Sequence, residues 1–337
     1  MKKLVFGKKG CFLAMALSAA LLAGCASKGA EPEASAAEGN QEPIKIGVIQ
    51  LVEHQSLDAI YQGIVDELAD NGYVDGQNIV IDYQNGQGDQ SNLKTISQRF
   101  VNNKEDLIIA IATGAAQAVA AETDSIPIIA SSVTDLVSAA LVESNDAPGG
   151  NVTGVSDMPP VTEQIDIMLQ LVPNAKNIGL AYCSSEVNSE VQANIAKEYI
   201  ESKGLTCVPT TIVSVNDIPQ ALESIADKVD ALFIPVDNTF ASAMPSVMGV
   251  CEPHKLPVCV GAAAMVEEGA LATVAFDYYD AGRQSAKMAI EVLKGADPAI
   301  TPVEMVETTY IYLNKTYADT VGIEIPEALL QKAAKVY

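Results

Sequence analysis

DLIIAIA, from Asp106 to Ala112, and DALFIPV, from Asp230 to Val236, decide how this chain folds. Each is an apolar run of strand length that opens on an aspartate, the pattern of a strand buried on both faces of a parallel sheet. They stand 124 residues apart, and their neighbours repeat at nearly the same offset. Ile126-Pro127 opens IPIIASS (Ile126 to Ser132), and 130 residues on Leu256-Pro257 opens LPVCVGA (Leu256 to Ala262). Upstream, IKIGVIQ (Ile44 to Gln50) and NIVIDYQ (Asn78 to Gln84) precede the first set as NIGLAYC (Asn177 to Cys183) and TCVPTTIV (Thr206 to Val213) precede the second. Helical stretches fall between the strands. One starts near Asp58 and stops at Asn71-Gly72, a left-handed terminator, a second spans about Asn92 to Asn102, and one in the second half ends at Lys203-Gly204. The alternation predicts an α/β fold, and the repeated order predicts two doubly wound lobes of one topology rather than a single nine-stranded sheet.

Outside this region the amino terminus reads differently. Lys2, Lys3, Lys8 and Lys9 precede an apolar stretch from Cys11 to Ala23, too short for a spanning helix of about 20 residues. It ends in Leu22-Ala23-Gly24-Cys25, which resembles the lipobox of bacterial lipoproteins, so residues 1 to 24 are expected to be a removed signal and Cys25 the lipidated first residue. An ordinary secretory cleavage nearby is the alternative. From Ala26 to Glu42 the chain is polar and small with no aromatic or β-branched residue, and residues 25 to 42 are expected to tether lipid to globule. The whole chain of 337 residues carries 20 Lys+Arg against 43 Asp+Glu, a formal charge of -23, which deepens to -27 once the four leader lysines are removed. Such acidity argues against nucleic-acid binding and against electrostatic attachment to anionic lipid. A lipid at Cys25, not charge, would hold the protein on the extracytoplasmic face of the cell membrane.

Ligands of doubly wound sheets bind beyond the carboxyl ends of the strands. That rule selects Glu53 and His54, Thr113-Gly114-Ala115, and Ser132 with Thr134 in the first lobe, and Ser184, Ser185, Asp237, Asn238 and Gly261 in the second. Thr113-Gly114-Ala115-Ala116 opens a helix with small residues whose N–H groups suit a carboxylate, and Asp237 suits an ammonium. Helix capping would explain the Thr, Ser, Asp and Asn at these positions equally well. The phosphate loop G-x-x-x-x-G-K-[ST], the G-x-S-x-G elbow and the H-E-x-x-H metal helix are absent, and His54 and His254 are the only histidines. No catalytic residue, cofactor or metal is therefore expected. His54 sits at a cleft position suited to a ligand or gating role, while His254 falls in a surface turn. Cys251, His254 and Cys259 lack regular metal spacing, so the thiols are expected to be buried, and the redox state of Cys183, Cys207, Cys251 and Cys259 stays open.

IGVIQLVEHQSLDAIYQGIVDEL, IDYQNGQGDQSNLKTISQRFV, IAIATGAAQAVA, PGGNVTGVSDM, PVDNTFASAM and GALATVAFDYYDAGRQSAKMAIEVLKG, in that order, resemble the substrate-binding lipoproteins of tryptophan/phenylalanine-type ABC importers. The resemblance covers essentially Ile44 to Gly322. It implies the type I periplasmic-binding-protein fold: two Rossmann-like lobes, residues 43–153 with 278–304 and residues 154–277 with 305–337, joined by three crossovers at Gly149 to Gly154, Ala275 to Tyr279 and Val303 to Thr308. It implies an enclosed amino acid, aromatic or otherwise apolar, and partners in an ABC permease and its ATPase, with the receptor itself a monomer. By the same resemblance Thr113, Ala115, Ser132 and Thr134 would grip the ligand carboxylate. Asp157, Asp237 and Asn238 would take the ammonium, Asp277 would be a further acid or a hinge acceptor, and Glu53 and His54 would border the side-chain pocket. Gly261-Ala262-Ala263-Ala264-Met265 departs from the polar stretch of many relatives and leaves side-chain specificity open. A lipoprotein that senses a ligand and signals without transport is the other binding reading.

Overall fold

The computed structural model of the protein describes residues 42–337; the expected leader, Cys25 and the tether up to Gln41 lie outside the described residues. In chain order come β1 (Ile44–Gln50), α1 (Gln55–Asp70), β2 (Ile79–Asn85), α2 (Gln90–Asn103), β3 (Leu107–Ile111), α3 (Thr113–Ala120), β4 (Ile128–Ser131) and β5 (Val152–Ser156). The chain then crosses to α4 (Val161–Leu171), β6 (Asn177–Cys183), α5 (Val187–Ser202), β7 (Thr206–Ile212), α6 (Ile218–Glu223) and β8 (Ala231–Ile234). After these follow α7 (Asn238–Ala241), α8 (Met244–Cys251), β9 (Val258–Val260), α9 (Ala263–Glu267) and β10 (Ala272–Phe276). It returns through α10 (Tyr278–Leu293) and β11 (Glu304–Met305), and crosses a third time to β12 (Thr309–Leu313), α11 (Lys315–Val321), α12 (Glu327–Leu330) and β13 (Ala333–Val336).

Two sheets result, ordered β2-β1-β3-β4-β5-β11 and β7-β6-β8-β9-β10-β12-β13. The first is parallel throughout, and the second has its one antiparallel pairing between β10 and β12. Because helices cover both faces, the central strands carry unbroken apolar runs: all of Leu107 to Ile111 and Ala231 to Ile234 are shut off from solvent. Among the described residues no helix is long and apolar enough to cross a membrane.

The repeated sequence signals do the same work in both lobes. Asp106 accepts the Lys45 N–H at 2.8 Å, and Asp230 accepts those of Lys176 and Asn177, both at 2.8 Å, so each aspartate ties the third strand of its lobe to the start of the first. Pro127 and Pro257 each present a carbonyl to the neighbouring strand, to Ile108 at 2.9 Å and to Leu232 at 2.8 Å.

The first crossover is not where the glycines of Pro148-Gly149-Gly150 place it. Val152 to Ser156 is a strand of the first sheet, paired with β4 from Ile128↔Val152 to Ser131↔Val155, so the chain changes lobe only at residues 157–160. Gly154 lies against the backbone of Ala130 where a Cβ would collide, which explains a glycine inside a strand. The second crossover narrows to Asp277 and the third to residues 306–308. Past the second, α10 lies on α1, where a Cβ on Gly63 would strike the Tyr279 carbonyl and one on Gly282 the Ile60 carbonyl.

Candidate ligand-binding cleft

The carboxyl ends of both sheets face each other across a small cavity lined from both lobes. Seven of the ten residues that the resemblance assigns to the ligand line it: His54, Thr113, Ser132, Thr134, Asp157, Asp237 and Asn238. Three do not. Glu53 is exposed beside the cleft, the Ala115 methyl is packed in the first-lobe core, and Asp277 faces outward as the N-cap of α10, its carboxylate accepting the Tyr279 N–H at 2.9 Å. Tyr278, one residue on, turns inward and lines the cavity instead.

The first-lobe wall is strained and short of partners. Ala112 ends β3 with φ 76 and ψ 158, a region that costs any residue but glycine about 1–3 kcal/mol, and Ser132 follows β4 with φ 53. That backbone starts α3 with no side-chain cap, so its first N–H groups are left to another acceptor. Ser132 Oγ, Ser56 Oγ and His54 Nδ1 all line this wall, buried and without a hydrogen-bond partner. Buried polar atoms are otherwise almost always paired.

At the hinge, Asp157 accepts the Thr134 hydroxyl at 3.4 Å, and the Tyr278 phenol stands beside it. Burial outweighs these donors and pushes its carboxyl up to about 6, and the same burial raises the Tyr278 phenol well above its ordinary value. No lysine or arginine lines the cavity to balance Asp157. Desolvation likewise pushes Asp237 up, reinforced by Glu186 nearby. Yet Asp237 is fully engaged by backbone: it caps α7, accepting Phe240 N–H at 2.9 Å, and accepts Cys183 N–H at 2.6 Å. Of the two acids, Asp157 has one long side-chain hydrogen bond, from Thr134, against two short backbone bonds on Asp237, so Asp157 is the better seat for a cation.

Glu186 was not among the sequence candidates, although its neighbours Ser184 and Ser185 were. It accepts the N–H groups of Asn238 and Thr239 at 3.1 and 2.8 Å and the Asn238 amide at 2.7 Å, fixing the Asn238 side chain. Asn238 Oδ1 then meets His54 Nε2 across the cleft at 3.2 Å, and Gln192 of α5 reaches Thr134 at 3.5 Å. These two contacts join the lobes, so the cleft is shut.

Residues 45–337 match the family of ABC transporter substrate binding proteins. The chain belongs to that family. As a substrate-binding protein it is built to hold a ligand and not to transform one, and its fold is that of the type I periplasmic binding proteins. It is 41% identical over 270 residues to a tyrosine-binding protein of Clostridioides difficile, which covers 80% of this chain and 78% of the relative. Among solved structures it is similar to an ABC domain from Streptococcus pneumonia in complex with L-Trp, 45% identical, with a TM-score of 0.86 over 88% of this chain and all of the other. Against the ligand-free, open structure of a Clostridium difficile substrate binding protein with adhesive properties, 38% identical over 87% of this chain and 99% of the other, the TM-score falls to 0.67. Coverage barely changes between the two.

The other sequence candidates are structural. Cys251 and Cys259 are buried and free, and the β6–β7 register puts Cys207 opposite Ile178, at the far end of the pair from Cys183. His254 is held between Asp227 at 2.9 Å and Glu223 at 3.2 Å, and the hydrogen bond to Asp227 is the main cause raising its pKa.

Proposed function

We propose that this chain is the lipid-anchored extracytoplasmic receptor of an ABC importer and that it encloses the zwitterion of an aromatic amino acid between its lobes. The observation that carries the reading is Asp157, a buried carboxylate with no cation beside it, in the same cavity as the uncapped start of α3 and the unpartnered Ser132 hydroxyl. An ammonium on Asp157 and a carboxylate on Ser132 and the α3 N–H groups satisfy all three together, which burial of a zwitterion demands. The relatives that bind tyrosine and L-Trp favour an aromatic side chain. Micromolar affinity, about -8 kcal/mol, is within reach of such charge-assisted contacts after the cost of closure. Closure around the ligand presents both lobes together to a permease.

Attachment through Cys25 is supported by the Leu22-Ala23-Gly24-Cys25 sequence. Two experiments test the proposal. A thermal-shift screen of the twenty amino acids, nucleosides and short peptides should single out aromatic amino acids, and no shift with any of them would overturn the ligand class. Cells fed tritiated palmitate should label the protein, and Cys25→Ala should remove the label and release the protein from the membrane.

A further inference from the structure

We propose that His54 reads the ligand's side chain, its Nδ1 selecting a ring that carries an N–H or O–H donor, as tyrosine and tryptophan do, over the donor-free ring of phenylalanine. This rests on the aromatic amino-acid reading above and assigns the discriminating atom.

The argument starts at Glu186, whose carboxylate can only accept. It takes the Asn238 Nδ2 donor at 2.7 Å, so the Asn238 amide has one orientation, with its carbonyl Oδ1 toward His54. A carbonyl can only accept, so His54 Nε2 carries the hydrogen. Burial lowers the pKa of the ring despite Glu186 and Asp58, which keeps it neutral and leaves Nδ1 a bare lone pair. His54 lines the cavity, and its Nδ1 is buried with no donor from the protein. Ser56 and Ser132 hydroxyls can turn to donate or accept and discriminate weakly; the sign of Nδ1 is fixed by the chain of contacts behind it.

The fold also provides a ruler. Asp157 follows β5 and His54 follows β1, three strands away along the sheet, about 14 Å at about 4.8 Å per strand. An ammonium seated on Asp157 at one end of that row of strands leaves the ring, at the other end, to supply the donor at His54.

The test is titration calorimetry of the full protein with L-tyrosine, L-tryptophan and L-phenylalanine, and with 1-methyl-tryptophan, whose indole lacks the N–H. Phenylalanine removes a donor without adding bulk, so it reads the unpaired acceptor directly. The better of tyrosine and tryptophan should bind roughly 10- to 100-fold more tightly than phenylalanine, and tryptophan should exceed its methyl derivative similarly. In His54→Leu the preference over phenylalanine should shrink to about 3-fold or less, because the acceptor that penalises phenylalanine is gone. Equal binding of all three amino acids by the native protein, or an unchanged preference in His54→Leu, would overturn the proposal while leaving the aromatic reading intact. No binding of any of them would overturn the reading on which it rests.

Discussion

At the amino end of both sheets an aspartate ties the third strand to the first, Asp106 in one lobe and Asp230 in the other, and the duplicated halves are interchangeable there. At the carboxyl end the likeness stops. The first lobe meets the cavity with strained backbone at Ala112 and Ser132, an uncapped helix, and three buried polar atoms without partners. The second meets it with Asp237, whose oxygens are already taken by backbone N–H groups, and with Asn238, which Glu186 holds from behind, while Gln192 reaches across to Thr134. One topology can thus be copied while its strand ends diverge, one lobe keeping free valences for a ligand and the other satisfying its own so that it can serve as a rigid wall.

That contrast can be broken most sharply at Asp157. Asp157→Asn is expected to weaken binding of an amino acid by about 30-fold or more, the cost of leaving an ammonium buried and unpaired, measured by calorimetry. Its pH signature separates this from misfolding. The carboxyl sits at about 6 when folded, above its ordinary 3.8, so the folded state holds the proton more tightly than the unfolded one. This group's contribution to stability is complete below about 4 and lost as pH rises through about 6. Ligand-free Asp157→Asn should therefore melt higher than the native protein at pH 7 to 8, with the gap closing toward pH 4. In the native protein, affinity should decline as pH falls below about 6, because the ammonium needs the ionised form, and the variant should lack this decline.

The second lobe should fail the other way. Asp237→Ala removes a helix cap and an acceptor for Cys183, and is expected to cost about 2–3 kcal/mol in denaturant unfolding. A variant as stable as the native protein that merely bound less well would move Asp237 into the ligand set and erase the contrast. Ser132→Ala sharpens it from the first lobe: with no protein partner to lose, stability should hold, while amino-acid affinity drops about 3- to 10-fold. Smallest is Ala112→Gly. Relief of strain outweighs the added freedom of the unfolded chain, so a gain of about 1 kcal/mol in unfolding free energy is expected.

Much of the fold was legible because buried parallel strands are written as contiguous apolar runs. IKIGVIQ and NIGLAYC coincide with β1 and β6 from end to end. The first crossover, which the resemblance places at Gly149 to Gly154, lies later because Val152, Thr153 and Val155 are strand formers and Gly154 serves close contact with Ala130. In the cleft, position and resemblance found strand-end residues but not their orientation: Asp277, which the resemblance supplied, and Tyr278 are adjacent, and only the path of the backbone decides which faces inward. Glu186 and Gln192 escaped because their roles exist only once distant strands or opposite lobes meet, at Asn238, Val236 and Thr134. No local periodicity encodes that.

The three passages of the chain between the sheets also bear on how such a receptor can change its diet. The first lobe is assembled from residues 44–156 and 278–305 and the second from 161–276 and 309–337, so neither is a contiguous stretch of gene. Exchanging a whole lobe with a relative would take three recombination joints, each falling in a crossover that must bend in register with the other two. Point substitution at the strand ends carries no such penalty. On the proposed reading, new specificities in this architecture are reached by editing positions such as His54, Ser132 and Asp157 one at a time rather than by exchanging whole lobes.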